Sequence, residues 1–267
     1  MAEGDSIARL AARLHGQLAG ASIVRSDLRH PRWATVDLGG QRITGWHPRG
    51  KHLLMRTDAG WTLHSHLRMS GSWSVLGVGK RLPRAVARDL RVALHLDDGR
   101  TAAGVALPVL TVVRTRDEHR VVGHLGPDLL ADDPDLDLAA ARLRADPALP
   151  AVVALLDQRR VAGLGNMWAQ ELLFLERTSP WRPVGEVDVV PLLARGRDLL
   201  RDAVAVNHRQ ITTGDPRPGR RHWVYGRARR PCFRCGTPVA FAPPERTPHG
   251  RETWWCPRCQ PDGAGML

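Results

Sequence analysis

Lysine is almost missing from this chain. Of 39 lysines and arginines in 267 residues, only Lys51 and Lys80 are lysines. With abundant Ala and Gly, this fits a GC-rich coding bias and makes a retained lysine worth explaining. Lys80 lies in Gly77-Val78-Gly79-Lys80 and reads as a solvated surface charge. Lys51 follows Gly50 ahead of a strand-like run. Cysteine is scarce too, with four residues, all beyond position 231. No apolar run approaches the roughly 20 residues that a spanning helix needs, so no membrane partner is expected. The first twenty residues are amphipathic and charged, unlike a secretory signal. A cytoplasmic, nucleoid-associated protein is the expectation, and a monomer, since no oligomer signal stands out. No internal repeat is present.

What the chain does have is positive charge. The net charge of +12 and pI near 11.1 point to a polyanion such as nucleic acid. A ribosome or an anionic membrane surface would satisfy the charge equally well. The length allows two domains and a small module.

The N-terminus reads Met1-Ala2-Glu3-Gly4-Asp5, and a helix is expected at once. Ile7, Leu10, Ala11, Leu14 and Leu18 recur at helical spacing, with Asp5 and Ser6 as candidate caps. Removal of Met1 before the small Ala2 would expose an α-amine. Its reference pKa of about 7.7–8.0 leaves roughly a tenth of it nucleophilic at pH 7. Glu3 beside it is either a general acid or base for imine chemistry or simply a helix-start carboxylate.

From residue 23 to 114 short strands alternate with turns at Gly39-Gly40, Asp58-Ala59-Gly60 and Asp97-Asp98-Gly99. Runs 34–38, 52–57, 61–66, 90–96 and 110–113 predict an antiparallel sandwich or flattened barrel. Aspartates crowd residues 132–137, so a linker is expected over 128–137. Beyond it the pattern turns helical to about Asn207, with Pro150 opening a helix over 151–156 and another over 192–206. Residues 214–230 are rich in Gly, Pro and Arg and read as a mobile, positive loop.

Three constellations carry chemistry. Cys232-x2-Cys235 and Cys256-x2-Cys259 use every cysteine and match a closed, structural four-cysteine zinc site. A disulfide pair is the rival, disfavoured without a secretory signal. The hairpin expected there has Arg251 at its tip, placed to meet a phosphate. Gly163-Leu164-Gly165-Asn166 is either a helix corner or a helix start for an anion, with Asn166 as cap. His64-Ser65-His66-Leu67-Arg68-Met69-Ser70-Gly71 ends a strand. Its Leu67, Arg68 and Met69 are either core or side chains that wedge into a base stack.

In this order, the N-terminal x-Glu-Gly-Asp, Gly50-Lys51-His52-Leu53, His66-Leu67-Arg68-Met69-Ser70-Gly71, His124-Leu125-Gly126-Pro127, Gly163-Leu164-Gly165-Asn166 and the cysteine finger resemble one family over nearly the whole length. It is the formamidopyrimidine-DNA glycosylase/endonuclease VIII family, and the resemblance is closest to the endonuclease VIII branch of actinobacterial type. It implies an α+β fold: an N-terminal antiparallel β-sandwich flanked by helices (1–127), a linker (128–137), a helix-two-turn-helix domain (138–228) and a zinc-finger β-hairpin (229–262). It implies a base-excision enzyme that flips and excises oxidised bases, mainly pyrimidines, through a Schiff base on the N-terminal amine, with abasic-site lyase activity. Ala2, Glu3 and Lys51 match the catalytic positions. His66, Asn166 and Arg251 match the phosphate clamps, and Met69 the void filler, with Leu67 and Arg68 beside it. One structural Zn²⁺ is implied, and damaged DNA as partner.

Two departures bear on function. The family nucleophile is usually proline, whose imine is permanently charged, so Ala2 predicts weakened strand cleavage. Formamidopyrimidine glycosylases carry an Arg-x-Phe pair after the strand at 110–113, whereas Arg114-Thr115-Arg116-Asp117-Glu118-His119 has no Phe. Weak dependence on the opposite base follows, with tolerance of single-stranded, bubble or crosslinked DNA. The competing readings are a catalytically silent zinc-finger protein that binds damaged DNA and, more distantly, an RNA- or ribosome-binding protein.

Overall fold

A computed structural model describes residues 2–206 and 210–261. Met1 and the expected limits at Asn207 and residue 262 lie outside the described residues. The first compact unit ends at His124 and the second begins at Leu125.

In the first unit the expected helix forms as α1 (Gly4–Leu18), burying Ile7, Ala11, Leu14 and Leu18. Eight strands follow: β1 (Ile23–Leu28), β2 (Ile43–Arg49), β3 (His52–Thr57), β4 (Trp61–His66), β5 (Ser72–Leu76), β6 (Leu90–Leu96), β7 (Thr101–Val105) and β8 (Val109–Arg114). They make two four-stranded antiparallel sheets, β1-β6-β7-β5 and β2-β3-β4-β8. Val92, Leu94 and Ala102 of one sheet share a core with Leu53, Met55, Leu63 and Val112 of the other, and α1 completes it. Trp46 and Trp73 meet edge to face inside, 4.9 Å between ring centres.

The expected strand over 34–38 does not form. Trp33 Nε1 donates to the Leu110 carbonyl at 3.0 Å, and Asp37 Oδ1 accepts from Gly39 N–H and Ser26 Oγ. These side-chain bonds hold the segment in turns that bury Leu38, so its alternation marks an anchored loop. Between β5 and β6 lies one short helical turn, α2 (Arg84–Ala87). Another, α3 (His119–Val122), follows β8.

The second unit contains α4 (Leu136–Arg144), α5 (Ala151–Leu156), α6 (Asn166–Leu175), α7 (Val189–Ala205) and a hairpin of β9 (Ala240–Ala242) with β10 (Thr253–Trp255). Pro150 caps α5, as its spacing implied. Residues 128–137 are not a free linker: Leu129 is fully buried in the helical core with Leu143, Leu155, Leu172 and Leu193. Gly126 explains part of its motif. Its N–H donates to the Gln158 carbonyl at 2.8 Å, and a Cβ there would stand 2.4 Å from the Arg160 carbonyl oxygen. A second small core gathers Phe174, Val224, Val239 and Trp254 around Cys232 and Cys256.

Candidate functional site

The α1 stripe packs into the sandwich core and thereby fixes the residues ahead of it. Glu3 is the N-cap and 0% exposed. Ser6 Oγ accepts from the Glu3 N–H and donates to the Glu3 carbonyl, both at 2.9 Å. Asp5 and Ser6 are therefore not the cap. Asp5 lies inside the helix, buried, with Arg9 Nη2 2.9 Å away. Ala2, half-buried, lines a hollow of about 300 Å³ with Ser6, Leu10, Arg13, Leu67 and Ser72. Ala2 and a buried carboxylate thus share one anchored helix start.

Lys51 sits in the tight turn joining β2 to β3, where Gly50 takes the left-handed φ of +56°. Next to it is a cluster of histidines that the motifs only half revealed. His52 Nδ1 and His64 Nε2 are 2.7 Å apart with the rings stacked, and His66 and His124 meet His52 edge-on at 4.7 and 6.0 Å. Burial lowers the pKa of His52 to about 3, helped by the neighbouring histidines and Lys51. Burial likewise takes His64 and His66 to about 4; for His66 the nearby charges of Lys51 and Arg68 add to it. At neutral pH His66 is uncharged. Its Nδ1 accepts the Arg68 N–H at 3.0 Å, which leaves the proton on Nε2 as a donor.

The motif loop after β4 separates its own residues. Leu67 is buried in the sandwich core, so it supports the loop and does not wedge. Gly71 N–H closes the turn onto the Leu67 carbonyl at 2.8 Å. A Cβ on Gly71 would meet that oxygen at the same distance. Arg68 is left-handed at φ +45° and exposed, and Met69 projects with 73% of its surface free. An apolar side chain held this far out has the form of an intercalating probe.

The segment after β8 is folded. Glu118 takes two hydrogen bonds from Arg56, Nε at 2.7 Å and Nη2 at 2.6 Å, and a third from Thr62 Oγ1 at 2.6 Å. Burial pushes its carboxyl up, but these donors outweigh burial and hold it below the usual range. Arg116 is exposed on the same segment.

In the second unit Gly163 has φ +109°, open only to glycine, as the chain turns toward α6. Gly165, not Asn166, is the N-cap. Asn166 is the first helical residue and is buried. Its Nδ2 donates to the Glu252 carbonyl at 2.9 Å and its Oδ1 accepts from Gln170 Nε2 at 2.9 Å. Arg251 is exposed just before β10, and Thr247 Oγ1 bonds both its N–H and its carbonyl.

Sequence reasoning passed over Glu171. Fully buried, it accepts the N–H groups of Trp223, Val224 and Tyr225, each at 2.8 Å, and the hydroxyl of Thr212. These donors compensate a buried carboxylate and tie down the entry and the middle of the segment 214–230 expected to be a mobile loop. The available signal was Gln170-Glu171 standing inside an otherwise apolar helix.

Cys232, Cys235, Cys256 and Cys259 bring their sulfurs within 4.8 Å of one another. Two of the separations are 4.0 Å (Cys232 to Cys259) and 3.5 Å (Cys235 to Cys256). Tetrahedral thiolates about 2.3 Å from a zinc would stand roughly 3.8 Å apart, so the donor set fits a single closed metal site.

Comparison with known proteins is consistent across both units. The formamidopyrimidine-DNA glycosylase N-terminal domain model matches residues 1–106, and the formamidopyrimidine-DNA glycosylase H2TH domain model matches residues 125–215. The chain is 48% identical over 261 residues to "Probable endonuclease 8 2" of Streptomyces coelicolor, covering 97% of this chain and 94% of that one. It is 42% identical to "DNA-(apurinic or apyrimidinic site) lyase Nei2" of Mycolicibacterium smegmatis, covering 97% and 99%. A solved structure of Lactococcus lactis formamidopyrimidine-DNA glycosylase, bound to DNA containing an abasic site, matches with a TM-score of 0.78 at 23% identity. It covers 97% of this chain and 99% of that one.

Proposed function

Because the chain belongs to the formamidopyrimidine-DNA glycosylase/endonuclease VIII family, the DNA glycosylases and abasic-site lyases of base excision repair, we propose that it flips oxidised pyrimidines from DNA and excises them with its own N-terminus. The observation that carries this reading is the buried Glu3 capping a helix anchored in the core, with Ala2 one residue ahead.

With Met1 removed, the neutral Ala2 amine attacks the sugar C1′. The bond from C1′ to the amine forms as the C1′–base bond breaks, the base leaves with a proton shed by the amine, and protonated Glu3 gives its proton to the ring oxygen as the sugar opens to an imine. Lys51, a compact ammonium at the β2–β3 turn, assists at the sugar–phosphate. Neutral His66 offers Nε2–H to a phosphate, and Met69 fills the gap that the base leaves. The positive end of α6 at Asn166 and the side chain of Arg251 take further phosphates.

Strand cleavage requires the imine to act as an electron sink. A proline imine cannot lose its charge, whereas the primary amine of Ala2 gives one that can deprotonate. Base release is therefore expected to outpace strand cleavage. The segment that holds Glu118 carries no Phe, which supports weak dependence on the opposite base and acceptance of single-stranded or crosslinked DNA. Zinc is the ion the four cysteines would hold. Its chemistry is structural, because four thiolates leave no open position. Among the described residues no helix is long and apolar enough to cross a membrane, and a monomer at the nucleoid fits the basic charge.

Borohydride trapping on DNA carrying an abasic site or an oxidised pyrimidine tests the mechanism. A covalent adduct mapped to Ala2, abolished when Ala2 is blocked by acetylation, is the expected result. An adduct on Lys51, or free base released with no adduct, would overturn the assignment.

A further inference from the structure

Gln170 lies one helical turn beyond Asn166 on α6 and is 1% exposed. Its carboxamide does more than fill space. Nε2 donates to the Glu252 carbonyl at 2.9 Å, and Oε1 accepts the Trp254 N–H at 2.8 Å. A carbonyl at one residue and an N–H two residues on face the same edge of a strand. One amide spanning both makes the pair of bonds that a neighbouring parallel strand would make. On its other edge β10 pairs with β9 through Thr253, Trp254 and Trp255. Gln170 is thus a one-residue third strand, supplied by a helix.

Nε2 also reaches Asn166 Oδ1, and Asn166 Nδ2 reaches the same Glu252 carbonyl, each at 2.9 Å. The two carboxamides and the Glu252 carbonyl close a triangle in which every edge is a hydrogen bond. One corner is the first residue of α6. Another adjoins Arg251, whose backbone N–H and carbonyl both bond Thr247 Oγ1.

We propose that Gln170 is a positioning residue for DNA binding, fixing the backbone from which Arg251 projects relative to the start of α6 so that both engage successive phosphates of one strand. The role rests on the reading of Arg251 as a phosphate contact. It also follows that Asn166, whose carboxamide is engaged in the triangle, serves DNA through the helix end it begins and not through its side-chain amide. Held in this way, the backbone that carries Arg251 loses little further freedom when DNA binds.

Zinc-loaded, full-length protein carrying Gln170→Met or Gln170→Glu tests this, with Arg251→Ala and the Gln170→Met/Arg251→Ala double variant alongside. Methionine keeps the length and volume but makes neither bond. Glutamate keeps the acceptor for Trp254 and sets a carboxylate against the Glu252 carbonyl. Duplex carrying a tetrahydrofuran abasic analogue serves as the binding probe, read as affinity against salt, and lesion duplex gives kcat and KM. For both Gln170 variants the expected result is a rise in KM of about tenfold with kcat nearly unchanged. The slope of log affinity against log salt should fall by about one, as on losing one phosphate contact. Zinc content should stay at one per chain, and the double variant should bind no more weakly than Arg251→Ala. Effects that add in the double variant, an unchanged salt slope, or losses that track zinc content would overturn the positioning role. Arg251→Ala with full affinity would overturn the phosphate contact itself and the positioning role with it.

Discussion

Glu118 grips the Arg56 guanidinium with both oxygens, 2.7 Å to Nε and 2.6 Å to Nη2, across 62 residues of chain. The same carboxylate takes the hydroxyl of Thr62, which is fully buried. Glu118→Ala therefore removes one acceptor from the buried Thr62 hydroxyl, which keeps Thr115 Oγ1 at 3.0 Å, and releases the Arg56 clamp on the segment after β8. A loss of about 1–3 kcal/mol is expected, toward the lower end because the Arg56 side chain is 36% exposed. Urea unfolding at neutral pH measures it, and an unchanged midpoint would rule the clamp out as a stabilising element.

Ala2→Pro is expected to raise nicking of an abasic site relative to base release, because the secondary amine gives an imine that keeps its charge. Gel assays that score free base and cut strand separately decide the matter. Equal nicking by the two proteins contradicts the argument.

The histidine cluster makes stability depend on acid. His52, His64 and His66 have folded pKa values of about 3, 4 and 4, below the ordinary 6.5. Between those limits the unfolded chain binds protons that the folded chain refuses, so stability falls as pH drops from about 6.5 toward 4. Lys51, Arg68 and His124 add to the repulsion, while Glu118 opposes it at His64. Melting temperatures at pH 7.5, 6 and 5 should fall more steeply for the native chain than for His52→Gln. Parallel slopes would mean that the cluster is not the cause.

Gly126→Ala should destabilise by about 1–3 kcal/mol. Its methyl group would collide with the rigid Arg160 carbonyl, where no side chain can swing away. Thermal unfolding of the variant is the check, and a neutral effect would mean that the backbone yields easily there.

One zinc per chain should be released by a strong chelator, with loss of the finger's order and about tenfold of DNA affinity. Colorimetric metal titration beside a binding isotherm tests both. Full affinity after complete zinc loss would remove the finger from the DNA contact.

Much of this was legible in the sequence, for local reasons. The strands His52–Thr57, Trp61–His66 and Leu90–Leu96 lie between turn residues that permit few alternatives. Pro150 marked its helix, and the cysteine spacing marked a cluster that the fold then closed. Leu67 could not be placed from its motif, because core and wedge residues look alike until the turn is drawn. Residues 34–38 alternated as a strand does, yet the decisive bond runs from Trp33 to Leu110, 77 positions away. Glu171 and Gln170 stand out only as polar residues in an apolar helix, since the long-range partners that give them a role lie 41 to 84 residues further on.

The Glu171 carboxylate has a consequence for how the segment above it can vary. With Thr212 and the Trp223–Tyr225 backbone moored to one buried group, the ten residues between them form a cassette on two fixed posts. Their sequence can drift or be exchanged between relatives without disturbing the helical core beneath. Variation in length and sequence can then be confined to a single surface segment.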